Sequence, residues 1–280
     1  MSREDSVSFI MPSGSKTSVG SDVGNSLSKL FELIRWPEDL ESEAGRRRFE
    51  EALRLFKGIN FPEKNYTILE VAGGTGIGGI ALAKALTERK LGVSKLIITD
   101  LRKEALEKAK EFSRRELGIE AETHVLDARE VHKLGVKADV ILMYGNSHSH
   151  FSTLDMVKFL SSASLSLKDD GILLIQGMNL LLRVFSSGYK DVLPEKVTSN
   201  KALISLHAGY DELRGTFRRV YLDLISGDMV EVDLKFWDFA EILGLCKVFF
   251  REASLIKMDP FRGVVVCKYP RAVIKPEEIG

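Results

Sequence analysis

A glycine-rich stretch at residues 67–79 constrains the fold of this chain more than any other segment. It reads Thr-Ile-Leu-Glu-Val-Ala-Gly-Gly-Thr-Gly-Ile-Gly-Gly, an apolar run with one acidic residue that leads into a crowded turn. The apolar run suits a strand buried on both faces, and glycine lets the backbone turn sharply where a side chain would block a ligand. Apolar residues then recur at helical spacing. We predict a strand, a ligand-binding turn and a helix.

Strand and helix patterns alternate after this turn. Further strands are predicted at residues 96–100, 138–145, 171–176, 247–255 and 263–269, with another that ends at Asp127, and helices at 103–117, 154–167 and 238–243. Such alternation is typical of a parallel sheet with helices on both faces. The sequence therefore predicts an α/β fold with a doubly wound, mostly parallel, seven-stranded Rossmann-like sheet.

Two other regions are distinguished by composition. We expect residues 1–60 to form an arm and a helical cap, in which residues 1–25, rich in serine and glycine, are mobile unless a partner or ligand orders them. Residues 61–280 are expected to form the core. Within it, residues 206–237 are predicted to be an inserted β-hairpin, because alternating apolar and charged residues flank a Ser-Gly-Asp turn.

The charge balance argues against a polyanionic partner. The chain has 280 residues, with 40 basic and 40 acidic side chains, so no global field draws it to nucleic acid or to an anionic membrane. The basic run Arg46-Arg47-Arg48 is interpreted as the solvated face of an amphipathic helix. This composition favours a small-molecule substrate and leaves room for a homo-oligomer.

Other features bear on location and metals. The N-terminus lacks a secretory signal pattern and no apolar stretch approaches bilayer length, so we expect a cytoplasmic protein. Two cysteines without Cys-x-x-Cys spacing predict neither a disulfide scaffold nor a metal site. The single glutamine, Gln176, among many Lys, Arg and Glu residues is a composition found in proteins from hot environments.

The glycine turn fits two kinds of nucleotide cofactor. The spacing Gly74-x-Gly76-x-x-Gly79, with Asp100 further on, matches a dinucleotide fingerprint. However, no tyrosine has a lysine four positions later, so the proton-transfer pair of short-chain dehydrogenases is absent. Polar residues at three other strand ends favour S-adenosylmethionine: Glu70, Asp127-Ala128 and Gly145-Asn146-Ser147. The alternative is that Asp100 and Asp127 only cap helices and that Glu70 only orders a loop.

Over about residues 60–270 the sequence resembles the class I S-adenosylmethionine-dependent methyltransferases, with Glu-Val-Ala-Gly-Gly-Thr-Gly as first motif and Ala72 where the family usually has glycine. The resemblance implies that Asp100 accepts hydrogen bonds from both ribose hydroxyls. It also implies that Asp127 and the Ala128 amide bind adenine, and that Glu70 and the turn serve the methionine end. The expected cofactor residues are Glu70, Ala72, Gly73, Gly74, Gly76, Asp100, Leu101, Asp127, Ala128 and Tyr144.

A second resemblance concerns the acceptor. Gly145-Asn146-Ser147-x-x-His150-Phe151 and Ile175-Gln176-Gly177-Met178-Asn179 look like segments of glycine/sarcosine N-methyltransferase relatives. It implies that Asn146 lies beside an acceptor amine. Those enzymes carry arginine at the position of Met178, so glycine itself is not the expected acceptor, and Arg183, Arg218 or Arg219 is left to supply a cation. The expected substrate residues are Asn146, Gln176, Asn179, Arg219 and Tyr221.

The expected catalytic residues are Tyr144, Asn146, His148 and His150. Methyl transfer from a sulfonium needs mainly alignment and desolvation, so a base is optional. If one acts, either histidine is a candidate, although His150 is also interpreted as a capping or packed residue and His148 as an exposed loop residue. We expect methyl transfer to a small-molecule amine or hydroxyl. The alternatives are an RNA or protein methyltransferase and a catalytically silent cofactor-binding module.

Overall fold

The computed structural model describes residues 19–279 and contains seven α-helices and eleven strands in that range. The helices are α1 Val19–Ile34, α2 Glu43–Lys57, α3 Ile77–Glu88, α4 Lys103–Leu117, α5 Thr153–Ser166, α6 Leu180–Ser187 and α7 Phe239–Phe249. The strands are β1 Asn65–Glu70, β2 Gly92–Asp100, β3 Glu122–Val125, β4 Ala138–Met143, β5 Leu167–Met178, β6 Val192–Thr198, β7 Lys201–Asp211, β8 Thr216–Asp223, β9 Met229–Leu234, β10 Phe250–Lys257 and β11 Arg262–Pro270.

The main sheet confirms the predicted fold class. Its seven strands follow the order β10-β11-β5-β4-β1-β2-β3. All neighbours pair in parallel except β11, which runs antiparallel to both β5 and β10. The chain reverses its direction of progress across the sheet between β1 and β4. In open α/β sheets, ligands bind at the carboxyl ends of strands beside such a reversal.

Apolar side chains fill both faces of this sheet. One face packs against α2, α3 and α4, and the other against α5 and α7. Trp237 is fully buried on the second face, where its Nε1 donates to the Phe151 carbonyl at 3.0 Å. Helix α7 extends to Phe249, six residues beyond its predicted end, because its apolar face continues to cover the sheet.

Glycine is required at the start of α3 for two reasons. Gly76 has φ +79°, a left-handed conformation that side chains disfavour. A Cβ at Gly78 would lie 2.5 Å from both Glu70 Oε1 and Tyr144 Cβ. The first turn of α3 therefore sits directly on the carboxyl ends of β1 and β4.

The insertion is larger than the predicted hairpin. Strands β8 and β9 do pair antiparallel, but β6 and β7 extend them into a four-stranded sheet of order β6-β7-β8-β9 that begins at Val192 rather than 206. Strand β6 was missed because it is exposed along almost its whole length and contains Pro194, so it shows no apolar alternation.

Helix α1 closes the gap between the insertion and the core. Leu30 and Leu33 of α1 form an apolar cluster with Val230 and Val232 of β9. The serine- and glycine-rich arm was expected to be mobile over residues 1–25. Residues 1–18 lie outside the described part, whereas residues 19–25 form the first turns of α1.

The described residues bear on membrane crossing and on metal binding. Between residues 19 and 279, every helix is too short or too polar to traverse a lipid bilayer. The same range holds no group of three or more His, Cys, Asp or Glu side chains placed to ligate a metal ion.

Candidate active site

A cavity of about 470 Å³ lies at the carboxyl ends of β1, β2 and β4, beneath α1 and the insertion. This volume is typical of a small-molecule site. The glycine turn and the polar residues at the strand ends share one wall: Ala72, Gly73, Gly74, Asp100, Leu101, Asp127, Ala128, Tyr144 and Asn146. Apolar residues of α1 form the opposite side: Val23, Leu27, Leu30, Phe31 and Ile34. The fold thus brings together residues that are far apart in the chain.

Asp100 is tied to the glycine turn. Its Oδ2 accepts the Gly74 N–H at 2.7 Å, and its Oδ1 accepts from both the backbone N–H and the Nε of Arg102. The residue is only 6% exposed. A carboxylate offers about four acceptor positions, two on each oxygen, so Oδ2 keeps one for a ligand. One ribose hydroxyl could donate to Oδ2 directly. A second could donate to Oδ1 only if the hydrogen bond from Arg102 Nε were broken.

Arg102 links this carboxylate to the N-terminal region. Its two terminal nitrogens donate to the two carboxylate oxygens of Glu38 at 2.9 and 3.0 Å. The guanidinium also stacks over Phe31 of α1, with 4.4 Å from Cζ to the ring centroid. Thr75 donates its hydroxyl to the Glu38 carbonyl. No local sequence pattern predicts this ion pair, because Glu38 and Arg102 are 64 positions apart.

Asp127 has both a capping and a pairing role. Its Oδ1 accepts the Arg129 backbone N–H at 2.8 Å, which caps the 3₁₀ helix over Ala128–Leu134. The Arg129 guanidinium pairs with Asp127 and also with Asp155. This double pairing raises the pKa of Arg129. Leu101 and Ala128 lie on the cavity wall with Asp127, so a flat heterocycle would meet apolar walls with a carboxylate beside them.

Arg48 corrects the interpretation of the basic run. Arg46 pairs with Glu116 at 2.8 Å on the surface, as a solvated helix face predicts. Arg48 instead lines the cavity, where its guanidinium lies 5.1 Å from the Trp36 ring and 5.4 Å from the Tyr144 ring. Burial lowers the pKa of Arg48. Helical spacing predicts on which face of a helix a residue lies, but not what that face packs against. The sequence therefore does not predict that Arg48 lines the cavity.

Asn146 and Tyr144 lie on the wall at the end of β4. Asn146 has φ +73°, and its Oδ1 accepts the Met178 N–H at 3.0 Å, which fixes the orientation of the side chain. A carbonyl oxygen has two lone pairs, so Oδ1 retains acceptor capacity. Tyr144 is 6% exposed, and burial raises its pKa to about 12. Its phenol therefore stays protonated at neutral pH.

Two expected cofactor residues do not line the cavity. Gly76 faces the core, where a side chain would meet Ile98. Glu70 is 1% exposed beneath the first turn of α3, and its Oε2 has no hydrogen-bond partner among residues 19–279. Burial raises the pKa of Glu70 to about 8. This position supports the hypothesis that Glu70 orders the glycine turn and does not contact a ligand.

His148 does not line the cavity either. It is fully buried rather than exposed in a loop, and neither ring nitrogen has a hydrogen-bond partner among the described residues. Its ring packs against Gly177, where any side chain would overlap it. Burial lowers the pKa of His148 to about 4. Packed away from the cavity, it is in no position to act as a base there.

Gln176 and Asn179 are structural. Gln176 Oε1 accepts the Gly145 N–H at 2.9 Å, which joins the ends of β5 and β4. Asn179 caps α6 by accepting the Leu182 N–H at 2.8 Å. Both side chains fix the backbone beside Asn146 instead of lining the cavity.

The other predicted residues do reach the cavity. His150, Arg219 and Tyr221 all line it. His150 closes a short 3₁₀ turn and does not cap α5, whose cap is Ser152. Burial lowers the pKa of His150 to about 4, so its imidazole is neutral at pH 7. Arg218, by contrast, is paired with Glu231 and Asp233 and does not line the cavity.

Comparison with known proteins bears on this site. Residues 68–171, from β1 into β5, match a family model described as a methyltransferase domain. This segment, which is less than half of the chain, is similar to a methyltransferase domain and includes the glycine turn, Asp100, Asp127 and Asn146. The match supports an enzyme of the methyltransferase class. No curated protein sequence matches the chain significantly.

Solved structures share the fold of this chain. A protein of Pyrococcus horikoshii OT3 superposes with a TM-score of 0.60 at 18% identity, covering 87% of this chain and 99% of that one. An S-adenosylmethionine-dependent methyltransferase of Clostridium acetobutylicum ATCC 824 gives 0.58 at 15% identity, covering 88% and 99%. The sugar N-methyltransferase KedS8 of Streptoalloteichus sp ATCC 53650 gives 0.56 at 15% identity, covering 94% and 100%.

Proposed function

We propose that this enzyme transfers the methyl group of S-adenosylmethionine to an amine, or less favourably a hydroxyl, of a small molecule. The observation that carries the proposal is the convergence of Gly74, Asp100, Asp127 and Asn146 on one wall of a single cavity. Asp100 would accept a ribose hydroxyl, and Asp127 with the Ala128 amide would bind adenine. The Arg48 guanidinium would pair with the methionine carboxylate.

The cofactor supplies a methyl group on a sulfonium, and the chain's residues align an acceptor with it. Asn146 Oδ1 would accept a hydrogen bond from the acceptor amine, as in the N-methyltransferase relatives that the sequence resembles. The apolar residues of α1 and of the other cavity walls would exclude water from the reacting atoms. Alignment of this kind can account for much of the rate enhancement without a base.

The weak basicity of His150 favours an amine over a hydroxyl. It is the one histidine of the expected pair that lines the cavity, and its pKa of about 4 makes it a poor base for deprotonating an alcohol. An unprotonated amine needs no proton removed before it attacks. The product ammonium can then release its proton to water.

The test is methyl transfer from labelled S-adenosylmethionine to fractionated cell extract, with mass spectrometry of the labelled product. We expect a labelled small molecule carrying one additional methyl group. Asn146→Gly keeps the left-handed backbone unstrained and should lower transfer by about 100-fold through lost alignment, while the cofactor still binds. Label in RNA or protein instead would favour the macromolecular alternative. Cofactor binding with no labelled product would favour a silent module.

A further inference from the structure

The insertion and neighbouring α6 form a further part of the cavity wall, and this wall carries positive charge. Besides Arg214, which pairs with Asp155, its cations are Arg219 of β8, Lys190 before β6, and Arg183 of neighbouring α6. No carboxylate among residues 19–279 lies within ion-pairing distance of any of the three.

Arg219 is the most informative of these cations because it is buried. It is 5% exposed, and its donors reach the Ser205 hydroxyl and carbonyl, the Lys190 carbonyl and the Tyr189 hydroxyl, at 2.8 to 3.1 Å. All these acceptors are neutral. They satisfy the guanidinium hydrogen bonds without a direct ion pair. Glu195 acts on the charge only through Ser205, whose hydroxyl accepts from Arg219 and donates to Glu195, and a buried charge normally requires a partner of opposite sign.

The acids around the cavity do not balance this charge. Asp100 and Glu38 are bound to Arg102, while Asp127 and Asp155 are bound to Arg129. Glu195 is the one acid of this wall without a basic partner among the described residues, and it accepts the Ser205 hydroxyl at 2.7 Å. Three cations therefore face one carboxylate, which leaves an excess of positive charge for a ligand.

We propose that the methyl acceptor carries an anionic group, a carboxylate or a phosphate, that binds at this wall in the field of Arg219. Arg183 and Lys190 supply the direct contacts, because the Arg219 hydrogen bonds are already used within the protein. Leu193, Leu234 and Phe236 line the same side and would contact an apolar body of the acceptor. This inference rests on the proposed function, since it concerns the molecule that receives the methyl group.

The test uses the protein loaded with S-adenosylhomocysteine, the demethylated cofactor, and three matched probes: phenylacetate, phenyl phosphate and the neutral phenylacetamide. Ligand-observed NMR at constant ionic strength gives the three dissociation constants. We expect at least one anion to bind roughly tenfold more tightly than the amide, because a charge-assisted contact contributes more than a neutral one. Comparing the two anions distinguishes a carboxylate site from a phosphate site.

Neighbouring arginines provide the controls. Arg219→Gln should reduce the preference for an anion over the amide several-fold, Arg219→Lys should restore much of it, and Arg218→Gln should leave it unchanged. If Arg219→Gln does not fold, Arg183→Gln takes its place and should reduce the preference several-fold. The inference is overturned if neither anion binds, if the amide binds as tightly, or if both Gln variants keep the preference. The affinity for S-adenosylhomocysteine, measured first, separately tests the proposed function.

Discussion

Asp100→Asn is expected to weaken S-adenosylmethionine binding by about 100-fold or more. The carboxylate is the proposed acceptor for ribose hydroxyls, and hydrogen bonds to a charged group contribute about 1.5–3 kcal/mol each. The substitution also removes the charge that holds Arg102 beside the turn. Calorimetric titration of wild type and variant gives the ratio of dissociation constants.

Asp139→Asn is the matched control for Asp100→Asn. Asp139 is also a buried aspartate, 2% exposed, but it lies at the amino end of β4, away from the cavity. There it accepts the Thr67 N–H and pairs with Lys64 and Lys168. We expect this variant to lose thermal stability while binding the cofactor with wild-type affinity. Equal loss of binding in the two variants would contradict the role given to Asp100.

Glu70→Gln is expected to change how stability depends on pH. Burial raises the pKa of Glu70 to about 8 in the folded protein, against an ordinary value of 4.5. Between these values the unfolded chain releases a proton that the folded protein keeps, so wild type should lose stability as pH rises from 4.5 to 8. The shift corresponds to about 3–5 kcal/mol.

Urea unfolding of both proteins at pH 5, 6.5 and 8 isolates this contribution. Gln mimics the protonated acid, so the two proteins should be similarly stable at pH 5, and the variant should be increasingly more stable towards pH 8. Other titrating groups cancel in the difference between the proteins. A difference that does not change with pH, or that favours wild type at pH 8, would show that Glu70 is ionised in the folded state. Arg48 and Asp100 are the charged groups that act on it most strongly.

The parts of the molecule that sequence patterns predict are those determined by local rules. Strands β1 and β4 are continuous apolar runs because both of their faces are covered, and the glycine turn between β1 and α3 is required by close backbone contact. Asp100 at the end of β2 and Asn146 just beyond β4 lie at the same edge of the sheet. The fold and the polar cavity wall at the strand ends therefore follow from the sequence.

The parts that were missed depend on contacts between distant segments. No local pattern predicts three of these features: the Glu38–Arg102 ion pair, the orientation of the Arg48 side chain into the cavity, and the burial of His148. Each depends on tertiary packing. Strand β6 lies at the exposed edge of the insertion and has no buried face to impose alternation. Of these segments, β6 supplies Leu193 and Glu195 to the wall where we propose that the acceptor binds. The sequence therefore predicts less of that wall than of the wall at the strand ends.

The most direct test of the central claim is equilibrium titration of the wild-type protein with S-adenosylmethionine and, separately, with NAD. A glycine turn followed by an aspartate is compatible with both cofactors, so the motif alone does not say which of them binds. Comparing the two titrations does. We predict saturable binding of one S-adenosylmethionine per chain, with a dissociation constant of about 1 μM to 1 mM, and no binding of NAD. Saturable binding of NAD without binding of S-adenosylmethionine would contradict the account.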